Sequence, residues 1–101
     1  MSYGVEATDG SIGHVEDLIL DDSDWIIRYV VVHTRNWLPG RKVLIAPSWI
    51  TRIIWDELKV YVSHTRQEVK ESPVFNPSEP VNRKYEEVLY DYYGRPKYWD
   101  D

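Results

Sequence analysis

The sequence contains no cysteine, which excludes disulfides, thiolate nucleophiles and thiolate metal ligands and leaves the redox compartment open. Basic runs are absent too. Twelve Lys and Arg are scattered among 17 Asp and Glu, a formal charge of −5, whereas a nucleic-acid-binding domain presents a clustered basic face. No apolar run approaches the ~20 residues that a membrane-spanning helix needs. No charged n-region, apolar h-region and cleavage site open the chain, so the expectation is a cytoplasmic protein without a membrane span. Phenylalanine occurs once, yet there are five Trp and eight Tyr. The aromatic bodies are therefore expected to be buried with an N–H or O–H tip reaching a polar partner or solvent.

What is present is organised around residues 25–34, dominated by β-branched and aromatic side chains that favour a pleated strand. One alternate set is Trp25, Ile27, Tyr29, Val31 and His33; the other is Ile26, Arg28, Val30, Val32 and Thr34. Both are largely apolar, so this strand needs cover on both faces. The turn-rich residues 35–40 and a second strand over 41–46, stopped by Pro47, complete a long hairpin. Upstream, a short strand over 3–8 meets Asp9-Gly10, a strong hairpin signal, and returns over 11–20 with Ile12, Val15, Leu18 and Leu20 as its apolar positions. Alternation breaks between Ile12 and Val15, with Gly13 in the gap, which is the pattern of a β-bulge or barrel corner. Asp21-Asp-Ser-Asp24 reads as a solvated turn and lacks the glycine and distal glutamate of a calcium loop.

Residues 48–55 and 59–62 form a further strand pair around Asp56-Glu-Leu58, and Thr65-Arg-Gln-Glu68 is a capping box that starts a helical turn over 66–71. About six short strands at hairpin spacing must hide their edges. They predict a small, closed or nearly closed, mostly antiparallel β-barrel of five to seven strands over residues 3–62, within a unit spanning 1–72. Residues 73–101 follow as a Pro-rich connector (Pro73, Pro77, Pro80) and a helix N-capped by Asn82, with Glu86 and Glu87 early in it. Val81, Tyr85, Val88, Leu89 and Tyr92 form its apolar stripe, and Gly94 and Pro96 stop it. Disordered tails are poor in aromatics, so this tail, ending Tyr98-Trp99, is expected to pack on the barrel.

Asp9-Gly-Ser-Ile-Gly13, Trp25-Ile-Ile-Arg-Tyr29, Asn36-Trp-Leu-Pro-Gly-Arg-Lys-Val-Leu-Ile45 and Thr65-Arg-Gln-Glu68, with Pro80-Val-Asn-Arg-Lys-Tyr85 and the Tyr92-Tyr-Gly94 to Trp99 ending, together resemble PRC-barrel domains. The likeness runs over nearly the whole chain and is closest to stand-alone bacterial members. Relatives include the cytoplasmic domain of the photosynthetic reaction-centre H subunit and the C-terminal domain of a ribosome maturation factor. The resemblance implies a small barrel used for assembly and protein contact, with no catalytic residues to carry over and no cofactor. The chain shows no membrane anchor of the H-subunit kind and no extra domain like the ribosomal factor's.

The three histidines, His14, His33 and His64, are not at His-x-x-x-His spacing, so a metal site would have to be assembled from distant strands and none is expected. His33 reads as a hydrogen-bonded residue at the barrel end, His14 and His64 as exposed strand ends. Carboxylates are plentiful, but no nucleophile setting, oxyanion motif or phosphate loop accompanies them, so the chain is not read as an enzyme. Trp37 and Trp49, beside Arg35, Arg41 and Lys42, either anchor a partner or plug an open barrel end. With Tyr93, Tyr98 and Trp99, the residues Trp37, Trp49 and Arg41 are the candidate contacts for another protein. A homodimer is expected to cover the doubly apolar strand. The alternative is a small ligand- or RNA-contacting barrel acting in ribosome maturation, resting on loop aromatics beside basic residues.

Overall fold

The computed structural model describes residues 3–21, 23–34 and 41–99. Six strands, β1 (Gly4–Ala7), β2 (Gly10–Asp21), β3 (Ile26–Thr34), β4 (Arg41–Ile45), β5 (Ile50–Ile54) and β6 (Lys59–Val62), precede two helices, α1 (Arg66–Lys70) and α2 (Arg83–Tyr93). The fold is mainly β. The strands form one sheet in the order β4-β3-β2-β1-β6-β5.

Two features depart from an all-hairpin barrel. First, β1 pairs with β6 in parallel, Gly4 opposite Lys59 and Glu6 opposite Tyr61, so the sheet is mixed. The β5–β6 hairpin folds back beside the chain's first strand, and backbone bonds from Gly4 N to Leu58 O and from Thr8 N to His64 O extend that alignment. Second, the sheet is open, with β4 and β5 as its edges. It is nonetheless strongly curled. Six strands laid flat put the edges about 24 Å apart at ~4.8 Å per gap. Only residues 46–49 separate β4 from β5, and such a link reaches roughly 17 Å even when extended. Pro47–Trp49 is moreover coiled into a 3-10 turn.

The curl is helped by irregularities in β2. Register shifts by one residue opposite Val5 and Glu6, at Ile12 and Gly13, as the broken alternation predicts. Gly13 has φ +152°, and a Cβ there would lie 2.0 Å from the His33 carbonyl oxygen. No other residue fits.

On β3 the residues Tyr29, Val30, Val31, Val32 and Thr34 are all buried, so the second half of the strand is covered on both faces. Val43, Leu44 and Ile45 of β4, Ile12 of β2, Val69 of α1 and Leu89 and Tyr90 of α2 supply that cover within one core. The first half is not covered: Ile26 and Ile27 are exposed, as are Leu18 and Leu20 across the hairpin. The outer edge of β4 is shielded by the connector, where Phe75 N donates to Lys42 O at 2.8 Å.

Local signals at the helix ends hold. Thr65 Oγ1 accepts from Glu68 N and Glu68 Oε1 accepts from Thr65 N, at 3.1 and 2.8 Å. Asn82 Oδ1 caps Tyr85 N, and Gly94 ends α2 at φ 64°. The inward face of α2 differs from the expected stripe. Glu86, Leu89 and Tyr90 are buried, with Tyr85 and Tyr93 packed beside them, while Val88 and Tyr92 point outward. The inward face carries Glu86, bonded to Tyr29, and Tyr85, whose hydroxyl donates to Pro73 O at 3.1 Å, polar contacts that a purely apolar count overlooks.

Gly13→Ala should lower unfolding free energy by at least about 3 kcal/mol, at the upper end of single substitutions. Gly94→Ala, with nothing within 4 Å of its Cβ, should cost only the left-handed backbone, about 1–2 kcal/mol. Urea unfolding of the two variants checks the difference.

Candidate functional site

At the centre of the molecule the carboxylate of Glu86 is buried, 6% exposed. Its Oε2 accepts a hydrogen bond from Tyr29 Oη of β3 at 2.6 Å and another from Tyr98 Oη of the tail at 2.7 Å. Arg83, one turn earlier on α2, places Nε 3.5 Å from Oε1. A buried carboxylate is costly unless its oxygens are paired, and short charge-assisted bonds of this kind are the strong ones. Burial first and the bond to Glu86 second raise the Tyr29 phenol well above its ordinary value near 10. The same two causes push Tyr98 up to about 12. The guanidinium of Arg28 lies 4.2 Å from the Tyr98 ring centroid and that of Arg83 4.0 Å from the Trp99 centroid. Tyr98 and Trp99 are thus folded against the chain's own cations.

Trp49 is buried in an aromatic cluster. Its ring meets Tyr90 edge-on at 5.2 Å and Tyr93 at 4.8 Å, and Tyr93 stacks on His64 at 4.2 Å. Of the two roles open to Trp49, filling the interior is the one its burial fits. His64, read from sequence as an exposed strand end, is only 3% exposed. Tyr93 of α2 and Trp49 lie against it, and the sequence gives no sign of which helix face does so. Burial chiefly, and the Arg95 charge next, lower its pKa below the usual 6.5. Arg41 is turned inward as well, donating from Nη1 to Lys70 O and from Nη2 to Ser72 O at 2.8 Å, where it caps the carbonyl end of α1. Trp37 and Arg35 lie outside the described residues.

Two other places present chemistry to solvent. The tip of the β2–β3 hairpin exposes Leu18, Leu20, Trp25, Ile26 and Ile27, between 40% and 74%. Trp25, the most exposed, has φ 59°, an unfavourable conformation for a bulky residue. The tip is nevertheless tightly tied. Asp21 Oδ1 accepts from Ser23 N and Oγ at 3.0 and 2.6 Å, Oδ2 accepts from Arg28 Nε at 3.2 Å, and Trp25 N donates to Asp21 O at 2.7 Å. Next to it lies a cleft of about 200 Å³ between Ile27, Arg28, Pro47, Tyr90 and Tyr98, smaller than a typical small-molecule pocket.

The second place is where β2 and β3 bring His14 opposite His33, ring centroids 5.6 Å apart, beside Glu16. Lys42 on β4 lies opposite His33, and its Nζ is 2.7 Å from Glu16 Oε2, which lowers the Glu16 pKa. Sequence spacing alone does not reveal this cluster, because it depends on strand register. Among known proteins, no family model matches the chain and no curated protein matches it.

Tyr29→Phe should destabilise by about 1.5–3 kcal/mol, because it leaves a buried carboxylate short of a donor. Tyr98→Phe, removing the less enclosed of the two donors, should cost less. Thermal unfolding of both variants tests the order. Stability should also fall as pH rises from about 10 towards 12. The unfolded chain loses its phenolic protons first, while folded Tyr98 holds its proton to about 12. On the acid side, neutral His64 contributes fully above its ordinary 6.5 and progressively less as pH drops below it. A pH series of unfolding midpoints should show both declines, the acid one blunted in His64→Phe.

Proposed function

We propose that this chain is a PRC-barrel-type interaction and assembly module, acting in the cytoplasm and without catalysis of its own, that engages another protein or protein complex. The observation that carries the reading is the β2–β3 hairpin tip. Five large apolar side chains stand in solvent on a backbone held by Asp21, Ser23 and Arg28. Scattered exposed apolar residues are ordinary, but five large ones concentrated in one hairpin are the kind of feature that marks a contact surface. Pre-organisation of that tip lowers the entropy lost on docking. The sharp curl of a six-stranded sheet, whose edges are joined by four residues, is consistent with a barrel of the PRC type. So is the ordered run of motifs from Asp9-Gly10 to Trp99.

Less favours the ligand- or RNA-contacting reading, whose Trp37 and Arg35 lie outside the described residues. Trp49 is inside the core, Arg41 Nη1 and Nη2 donate to the carbonyls of Lys70 and Ser72, and the overall charge is −5. Nor does the buried Glu86 sit in an open cleft with a nucleophile beside it. Its Oε2 accepts from two tyrosine hydroxyls and its Oε1 faces Arg83.

The first half of β3 is the part left without cover, and a second copy meeting it across a two-fold axis buries the same residues twice. Sedimentation at high micromolar concentration should show a dimer for the parent chain and a monomer for Trp25→Ser. As an exposed position, Trp25→Ser should change monomer stability by no more than about 0.5 kcal/mol. Partner capture that is lost in the same variant, with no mobility shift of RNA, is the result expected of the module. Unchanged capture by Trp25→Ser, or a monomeric parent chain that shifts RNA, contradicts it.

A further inference from the structure

We propose that His14, Glu16 and His33 form a binding site for a divalent transition metal of the zinc class on the outer surface of the β2–β3 ladder. One ligand atom from each residue lies within 4.8 Å of the other two. Donors that share one ion tetrahedrally at ~2.0–2.2 Å per bond stand about 3.4 Å apart, so small side-chain rotations bring the three atoms onto one ion. Two imidazoles and a carboxylate suit zinc and its neighbours better than magnesium or calcium, which prefer all-oxygen shells.

The site is built by backbone geometry. Gly13 allows β2 to approach the His33 carbonyl closely, which sets His14 directly opposite His33. Two residues later the ladder shifts again. Val15 pairs with Val32 and Asp17 with Val31, leaving Glu16 as the extra residue of a bulge. Bulges re-aim side chains, and this one places the Glu16 carboxylate beside the two rings. His14 and His33 are half-buried and Glu16 lies at the surface, so an ion can enter from solvent. Three protein ligands leave a fourth position for water or for a group from a partner.

Lys42 already holds a positive charge against this carboxylate, with Nζ 2.7 Å from Oε2. A metal ion either takes the place of that ammonium or binds through the other carboxylate oxygen. Lys42 therefore competes with the ion, and its removal favours binding.

The test uses the untagged full chain, stripped with chelator and titrated with zinc chloride by calorimetry. One ion should bind per chain. His33→Asn and Glu16→Gln should each weaken binding by more than about tenfold, while Lys42→Met should bind at least as tightly as the parent. Circular dichroism establishes that each variant is folded. Should a variant not fold, the parent chain decides by nuclear magnetic resonance. Zinc should shift the imidazole signals of two of the three histidines and leave the buried His64 unmoved. No heat of binding, binding that survives both ligand variants, or a zinc response confined to His64 overturns the site.

Discussion

One buried carboxylate joins the parts of this molecule that the chain order keeps apart. Glu86 sits on α2, accepts from Tyr29 on β3 of the sheet, and accepts again from Tyr98 in the tail. The three residues come from a strand, a helix and an irregular segment, so their union fixes the helix against the sheet and the tail against the helix. An apolar residue at position 86 would pack there without specifying rotation. A carboxylate that must meet two hydroxyls tolerates only one orientation of α2, the one that turns Leu89 and Tyr90 into the core and leaves Val88 outside. Here polarity supplies direction, and apolar burial supplies most of the stabilisation.

The same division explains which parts of the structure were legible in the sequence. Features decided by neighbouring residues were readable: the turn at Asp9-Gly10, the break at Gly13, the capping box at Thr65, and Asn82 and Gly94 at the ends of α2. Each rests on a backbone requirement that few residue types satisfy. Features decided by distant partners were not. The parallel alignment of β1 with β6 leaves no periodic trace, and a reading that joins only successive strands misses it. The cluster of His14, Glu16 and His33 depends on a register containing two irregularities in β2. A one-residue error in register would send those side chains to opposite faces. His64 looked exposed because its cover comes from a helix that begins nearly twenty residues later.

The exposed tip and the protected edges are two treatments of one hazard. A sheet whose edges lie open invites pairing with other chains. Along β4 the connector supplies a backbone partner at Lys42, and Arg41 ties the connector's start to the end of α1. Along β5, Thr51 and Arg52 face solvent, the guanidinium of Arg52 lying over Tyr61 at 4.9 Å. Cover is thus spent on the β4 edge, while the β5 edge leaves Ile53 and the following Trp55 exposed, as the hairpin tip between β2 and β3 leaves its leucines, isoleucines and tryptophan. The chain presents apolar surface at a place where main-chain pairing is already complete, so contact there proceeds through side chains.

The parallel partnership of β1 and β6 has a consequence for the order in which the protein is made. β1 is synthesised first but lies in the interior of the sheet, between β2 and a strand that ends at Val62. During synthesis the meander from β1 to β4 can zip by local hairpins, which close quickly. One side of β1 stays unpaired until β6, some fifty residues after β1, has left the ribosome. Tyr29 waits as well, because Glu86 follows it by 57 residues. At roughly 5–20 residues per second, the nascent chain carries a bare strand edge for seconds. A chaperone that recognises unpaired strand backbone therefore meets a target along β1, Gly4–Ala7, and not only in the hairpin tip that stays exposed afterwards.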